Sequence, residues 1–279
     1  MVLRVDESKL YSAAYRSRVL DELTAALMED GRIAGAILVG SGAAGFKDRY
    51  SDIDLAVLVG DEVKVNEVYA DWCRRIHALF PIVDAFKEQP RHLYGFLLDR
   101  FLELDVGFQG EAGLYERKPR WRILFDRRGV IPSLMKPRGK PAVDQAAAHE
   151  KRMQDSWYYI LHCVNSIQRG QPLRASFFIA TLRDEAALMA GLSRGLRTGV
   201  DSYFEDADLL PEEVRRRIGE AFPRSLDPAE LLRALKATVD VYYGEAGNLD
   251  VNLGMDRAPR LRVVMSEYLS AFSPGLAVG

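Results

Sequence analysis

Near the start of the chain, Val39-Gly40-Ser41 is followed ten residues later by Asp52-Ile53-Asp54. On a strand, residues i and i+2 point to the same face, so Asp52 and Asp54 project side by side. Two like charges that close repel each other, and a bound divalent cation relieves the repulsion. The small-residue turn ahead of them offers backbone N–H groups and a hydroxyl to a phosphate. The chemistry this spacing serves is the binding of a metal-bound nucleotide.

A surface turn can also carry two aspartates, but here they alternate with Ile53 and Leu55 in an otherwise apolar strand, where unpaired charges are costly. A second acidic strand reads Phe101-Leu102-Glu103-Leu104-Asp105-Val106-Gly107-Phe108. Its even-numbered apolar residues share one face; Glu103, Asp105 and Gly107 share the other. An acidic residue there would complete a cluster of three carboxylates. Asp84, on the strand before, reads first as a strand-end residue.

Gly40-Ser41-Gly42-Ala43-Ala44-Gly45 also matches the dinucleotide fingerprint G-x-G-x-x-G, with Asp61 or Glu62 about twenty positions on. That reading fails on space. The fingerprint needs a crossover helix, and parallel neighbours need a dozen or more residues of connection. Only Phe46 to Ser51 separate Gly45 from Asp52, and Lys47, Asp48 and Arg49 among them suit a solvated loop.

The elements that must position these residues follow from periodicity. Residues from about Ser8 to Glu29 have helical apolar spacing, Ala34 to Val39 is a strand, and the acidic strand runs from about Asp52 to Val59. Asn66 to Leu79 is a helix and Pro81 to Phe86 a strand. His92 to Leu98 and Phe101 to Gln109 form a hairpin around Asp99-Arg100, although Asp-Arg is not a favoured turn pair. Trp121 to Phe125 is the last strand, and the proline-rich Pro132 to Pro141 marks a domain boundary. Beyond it the chain reads as helix. Met153, Trp157, Leu161, Val164 and Ile167 form one stripe, and further helices cover Ala175 to Leu192, Pro211 to Phe222, Pro228 to Tyr243 and Leu261 to Phe272. The fold class is α+β, a mixed sheet with helices over residues 1–135 followed by an all-helical domain over residues 141–279.

The bulk properties set limits. The 279 residues are 48% hydrophobic, enough for two cores, and the net charge of −2 gives no global basic field for nucleic acid. Two cysteines, Cys73 and Cys163, argue for a reducing compartment and against a disulfide framework or zinc site. No apolar run approaches a membrane span and Met1 to Lys9 lacks a signal core, so a cytoplasmic protein is expected. His77, His92, His149 and His162 show no ligand spacing, and there is no Walker A sequence.

Gly40-Ser41, Asp52-Ile53-Asp54 and Asp105 on a later strand together resemble the nucleotidyltransferase superfamily of DNA polymerase β type. The whole chain resembles its antibiotic-modifying branch, the aminoglycoside and lincosamide nucleotidyltransferases. Trp121 to Pro132 is similar to the strand and turn that close the catalytic domain of streptomycin 6-adenylyltransferase-like members. Ser156 to Gly170 is similar to the first helix of their C-terminal domain. The resemblance implies magnesium, two ions in all, held by Asp52, Asp54 and Asp105, with Gly40 and Ser41 contacting the phosphates of ATP or another nucleoside triphosphate. Asp105 would hold the second ion or accept the proton of the attacking hydroxyl; Glu103, on the same face, is the alternative third carboxylate. Lys47 and Arg49 would steer phosphate. The helical domain would close the cleft over a hydroxylated, cationic acceptor through Asp155, Trp157, Tyr158, Asp184 and Glu185. The run Glu205, Asp206, Asp208, Glu212 and Glu213 suits a helix start, with Asp208 as cap. An RNA end or protein side chain as acceptor, served by Arg215, Arg216 and Arg217, is the second reading, and an idle nucleotide-binding protein the third.

Overall fold

A computed structural model of the chain describes residues 6–46, 48–88, 92–116, 120–137, 144–196 and 206–273. The chain divides into two compact units, Met1–Gly139 and Lys140–Gly279.

The first unit is a six-stranded mixed sheet with helices. In chain order it comprises α1 (Ala13–Glu29), β1 (Ile33–Val39), β2 (Ile53–Val59), α2 (Val65–Leu79), β3 (Ile82–Glu88), β4 (Leu93–Leu98), β5 (Glu103–Gln109), β6 (Trp121–Asp126) and the short α3 (Ile131–Leu134). The strand order is β3-β4-β5-β2-β1-β6. All neighbours are antiparallel except β2 and β5, which run parallel. β1 and β2 are antiparallel, so the glycines after β1 open a hairpin loop and no crossover helix, which removes the dinucleotide reading.

Each face of the sheet has its own cover. Ile53, Leu55 and Val57 of β2 and Leu104, Val106 and Phe108 of β5 join Leu23 and Leu27 of α1 and Val68, Trp72 and Ile76 of α2 in the main core. On the opposite face, Ile37, Leu58, Leu114, Ile131 and Met135 form a smaller cluster near the far end of β2. The end of β2 that carries Asp52 and Asp54 lies outside that cluster.

α1 begins at Ala13, where the Ser12 hydroxyl accepts the Tyr15 N–H at 3.1 Å, and the residues before it form a separate tight turn. The β4–β5 connection is longer than the two residues expected. Asp99–Phe101 make a helical turn with Arg100 and Phe101 in the left-handed region, held by Leu98 N–H to Leu102 O at 2.8 Å and Tyr11 N–H to Arg100 O at 2.9 Å. Tertiary bonds thus stabilise a turn that local propensity does not favour.

The second unit is helical: α4 (Gln145–Met153), α5 (Ser156–Gln168), α6 (Pro172–Ser193), α7 (Glu212–Glu220), α8 (Pro228–Leu253) and α9 (Arg257–Ser270). The expected stripe from Met153 to Ile167 breaks at Gln154–Asp155, between α4 and α5. The helical phase restarts there. Trp157 is therefore 43% exposed, and Ile160, Cys163, Val164 and Ile167 face the core. α8 runs ten residues past Tyr243, because burial of Ala246 and Leu249 outweighs the cost of Gly244 and Gly247 before Gly254 ends it. Asp250 on α8 pairs with His149 of α4 and accepts the Ala258 N–H of α9 at 2.6 Å, tying three helices with one buried carboxylate. Asp208 lies in a tight turn and Pro211 takes the cap position of α7, with Glu212 and Glu213 in its first turn. Glu205 lies outside the described residues.

In the first unit Asp30, its side chain 5% exposed, ties α1 and β1 to α2. It accepts from Arg32 at 2.6 Å and from Trp72 Nε1 at 3.1 Å. The Arg32 hydrogen bonds, outweighing desolvation, lower its carboxyl to about 2. A depressed carboxylate adds stability that is present above its unfolded value and lost as pH falls through its folded value. Asp30→Asn is expected to cost about 2 kcal/mol at pH 7. In urea denaturation, the difference from wild type should shrink as pH drops from about 4 toward 2.

Candidate active site

The register of the sheet sets the site. Asp54 on β2 lies directly beside Asp105 on β5. Adjacent strands are ~4.8 Å apart, so the two carboxylates leave the backbone as neighbours on one face. The register extends across all six strands as one row: Phe86, Gly95, Asp105, Asp54, Val39, Trp121. The next row along holds Asp84, Leu97 and Glu103, with Asp52 just ahead of β2. Asp52, Asp54 and Asp105 are all half-buried. Burial, then the charges of Asp52 and Asp54, push the Glu103 carboxyl above its ordinary range. Glu103 is therefore close enough to both aspartates to sense them.

The loop ahead of the aspartates is tightly built. Gly40 turns out of β1 in the left-handed region (φ 67°), and its N–H is held by Arg120 O at 3.2 Å. Its contribution is the reversal of the chain, since that donor is engaged. Ser41 begins a tight turn over Gly42–Ala44, and its buried Oγ has no hydrogen-bond partner among the described residues. Gly42 is required by packing, because a Cβ there would stand 2.9 Å from the Phe46 ring. Arg49 is ion-paired to Glu7, and Lys47 lies outside the described residues.

Arg16 holds this loop. It is 4% exposed and donates to Asp48 O at 3.1 Å and Ser51 O at 2.7 Å, with its guanidinium 4.0 Å from the centre of the Phe46 ring. The Tyr11 hydroxyl also reaches Ser51 O, at 3.2 Å. Neither residue stood out in the sequence. The available signal was that Arg16 falls on the stripe of Val19, Leu20, Leu23 and Leu27, where an arginine has to be buried.

Hard oxygen donors suit magnesium, which is usually bound by one or two carboxylates together with substrate phosphates. Asp54 beside Asp105, with Asp52 two residues before, supplies such donors. Among the described residues no three acidic, histidine or cysteine side chains converge as a ready-made cage. The donor set thus fits an ion that arrives with a polyphosphate.

Of the helical-domain residues, Tyr158 is exposed like Trp157, whereas Asp184 is paired with Arg183 at 2.8 Å and Glu185 with Arg152 at 2.6 Å. A cavity of about 470 Å³ in this unit is lined by Arg183, Asp184, Leu210, Arg215 and Phe222, and the Arg183 guanidinium stacks 3.9 Å from the Phe222 ring centre. Cys73 and Cys163 are free thiols.

The family-model match agrees with this geometry. Residues 20–106, from α1 through most of β5, match the family model described as a nucleotidyltransferase domain. The chain carries that domain and is an enzyme of that class. Such enzymes take a nucleoside triphosphate and an acceptor, and in general a divalent metal. Among solved structures, the chain is similar to an aminoglycoside 6-adenyltransferase from Bacillus subtilis, at 14% identity and TM-score 0.43, over 94% of this chain and 98% of that one. It is also similar to a nucleotidyltransferase-like protein from Exiguobacterium sibiricum 255-15, at 14% identity and TM-score 0.38, over 85% and 77%. No curated protein matches the sequence. Among the described residues no helix is long and apolar enough to cross a membrane.

Arg16→Met is expected to cost about 2 kcal/mol or more, since two buried carbonyl contacts and a ring contact are lost. Urea denaturation measures this, and unchanged stability would show that the loop is held by other contacts.

Proposed function

We propose that the protein transfers a nucleoside monophosphate, AMP from ATP in the first instance, to a hydroxyl of a small cationic molecule of aminoglycoside or lincosamide type, releasing pyrophosphate. The observation that carries this reading is the Asp54–Asp105 register inside a nucleotidyltransferase domain. Asp52 and Asp54 would hold magnesium, and Asp105 a second ion. When bound, such ions neutralise the triphosphate and acidify the attacking hydroxyl. Ser41 Oγ would donate to a phosphate oxygen, which supplies the partner its buried hydroxyl lacks among the described residues. The acceptor oxygen attacks the α-phosphorus in line as pyrophosphate leaves. Asp105, if it does not hold the second ion, would accept the proton of the attacking hydroxyl. Steering by Arg49 would require its pair with Glu7 to open.

We assign catalysis to residues 1–135 and further acceptor contacts to 141–279, where exposed Trp157 and Tyr158 offer aromatic surface. Free Cys73 and Cys163 suit a cytoplasmic setting. The net charge of −2 argues against a long RNA acceptor.

The test is magnesium-dependent pyrophosphate release from ATP, GTP, CTP and UTP against a panel of aminoglycosides and lincosamides, with wild type beside Asp54→Asn. Release that requires one acceptor and falls at least ~100-fold in the variant is expected. Nucleotide binding without release for any acceptor would contradict the antibiotic assignment.

A further inference from the structure

On the same face as the aspartates, β3, β4 and the start of β5 line an open cleft of about 170 Å³. Its lining includes Asp84, Phe86, Gly95, Leu97 and Glu103. Phe86 is 58% exposed on the edge strand, yet its ring is closely seated. A Cβ on Gly95 would lie 2.2 Å from the Phe86 ring, so the ring lies across β4 at the one residue without a side chain. Gly95 is the register partner of Asp105, so the ring reaches over β4 toward the carboxylate row. Leu97 lies between Asp84 and Glu103, its register partners on either side. The cleft therefore has an apolar base, an aromatic wall and a carboxylate on each flank, and none of its lining residues is cationic.

These features select the occupant. Acidic flanks repel a phosphate or nucleotide and attract ammonium groups. An apolar base and a phenyl wall pack against the C–H face of a saturated ring, and an aromatic face also attracts cations. The volume is below the ~300–1,000 Å³ that takes a drug-sized ligand, so it suits a single ring. We propose that this cleft is the acceptor subsite: a saturated, amino-substituted ring packs on Phe86 and Leu97, with ammonium groups paired to Asp84 and Glu103, next to the carboxylate row. The inference rests on the transferase reading above and extends it to the residues that choose the acceptor. Asp84 becomes a specificity residue and Glu103 an acceptor contact, leaving Asp105 as the third carboxylate of the reaction.

The test measures binding of 2-deoxystreptamine, a diamino ring, and of neutral myo-inositol by calorimetry to wild type, Asp84→Asn and Phe86→Ala. A non-hydrolysable ATP analogue with magnesium is titrated in parallel. Asp84 and Phe86 are exposed, so both variants should fold. The expected result is that the diamine binds wild type, about tenfold weaker binding follows either substitution, inositol does not bind, and analogue affinity is unchanged in both variants. Equal diamine binding by all three proteins, or none by wild type, overturns the subsite. A loss of analogue affinity in Phe86→Ala also overturns it, because the ring would then hold the nucleobase. If diamine binding responds as expected while no acceptor supports pyrophosphate release, the subsite stands and the transferase reading fails.

Discussion

Parallel pairing of β2 with β5 sets two aspartates side by side on adjacent strands. Asp54 and Asp105 are far apart in sequence and are brought together only because Ile53 pairs with Leu104 and Leu55 with Val106. A slip of one residue would turn every apolar side chain of one strand out of the core. The hydrophobic effect thus fixes the register, and the register opposes two like charges that would not be neighbours otherwise. The core on one face thus holds the acidic row on the other in place.

That arrangement is supported from below by the start of α1. Arg16 and Tyr11 grip Ser51, just before the first aspartate, and the Tyr11 N–H binds Arg100 in the turn that leads into β5. Tyr15 adds a hydroxyl bond to Asp99 of the same turn. The leading ends of both carboxylate-bearing strands are therefore tied to one segment, Tyr11 to Arg16, at the start of α1. Movement of that segment would disturb the approaches to Asp52 and Asp105 together, which makes the start of α1 a positioning element as well as a core element. The Asp30–Arg32–Trp72 cluster fixes the opposite end of the helix.

Much of this was legible in the sequence because it follows from alternation. The strands, the hairpin, the faces of Glu103 and Asp105, and the lack of space for a crossover after Gly45 all follow from period two and short connections. What was not legible depends on tertiary contact. The parallel neighbour of β2 is set by topology, so the Asp54–Asp105 pairing could not be counted from spacing. The role of Arg16 is hidden because a buried arginine resembles a surface residue unless its helical phase is followed. The outward face of Trp157 is hidden from periodicity because the break at Gln154–Asp155 carries no glycine or proline to announce it. The length of α8 is hidden for the converse reason, since Gly244 and Gly247 look like a stop and are overridden by burial.

The central proposal is that the in-register carboxylates form a cation site completed by the triphosphate. Electron paramagnetic resonance of Mn²⁺, with and without a non-hydrolysable nucleoside triphosphate analogue, tests that reading on wild type, Asp54→Asn and Asp105→Asn. Tight Mn²⁺ binding that needs the analogue in wild type and is lost in Asp54→Asn, with weaker binding in Asp105→Asn, is the expected outcome. Mn²⁺ bound equally well by all three proteins would contradict it and leave the paired aspartates without the role given to them.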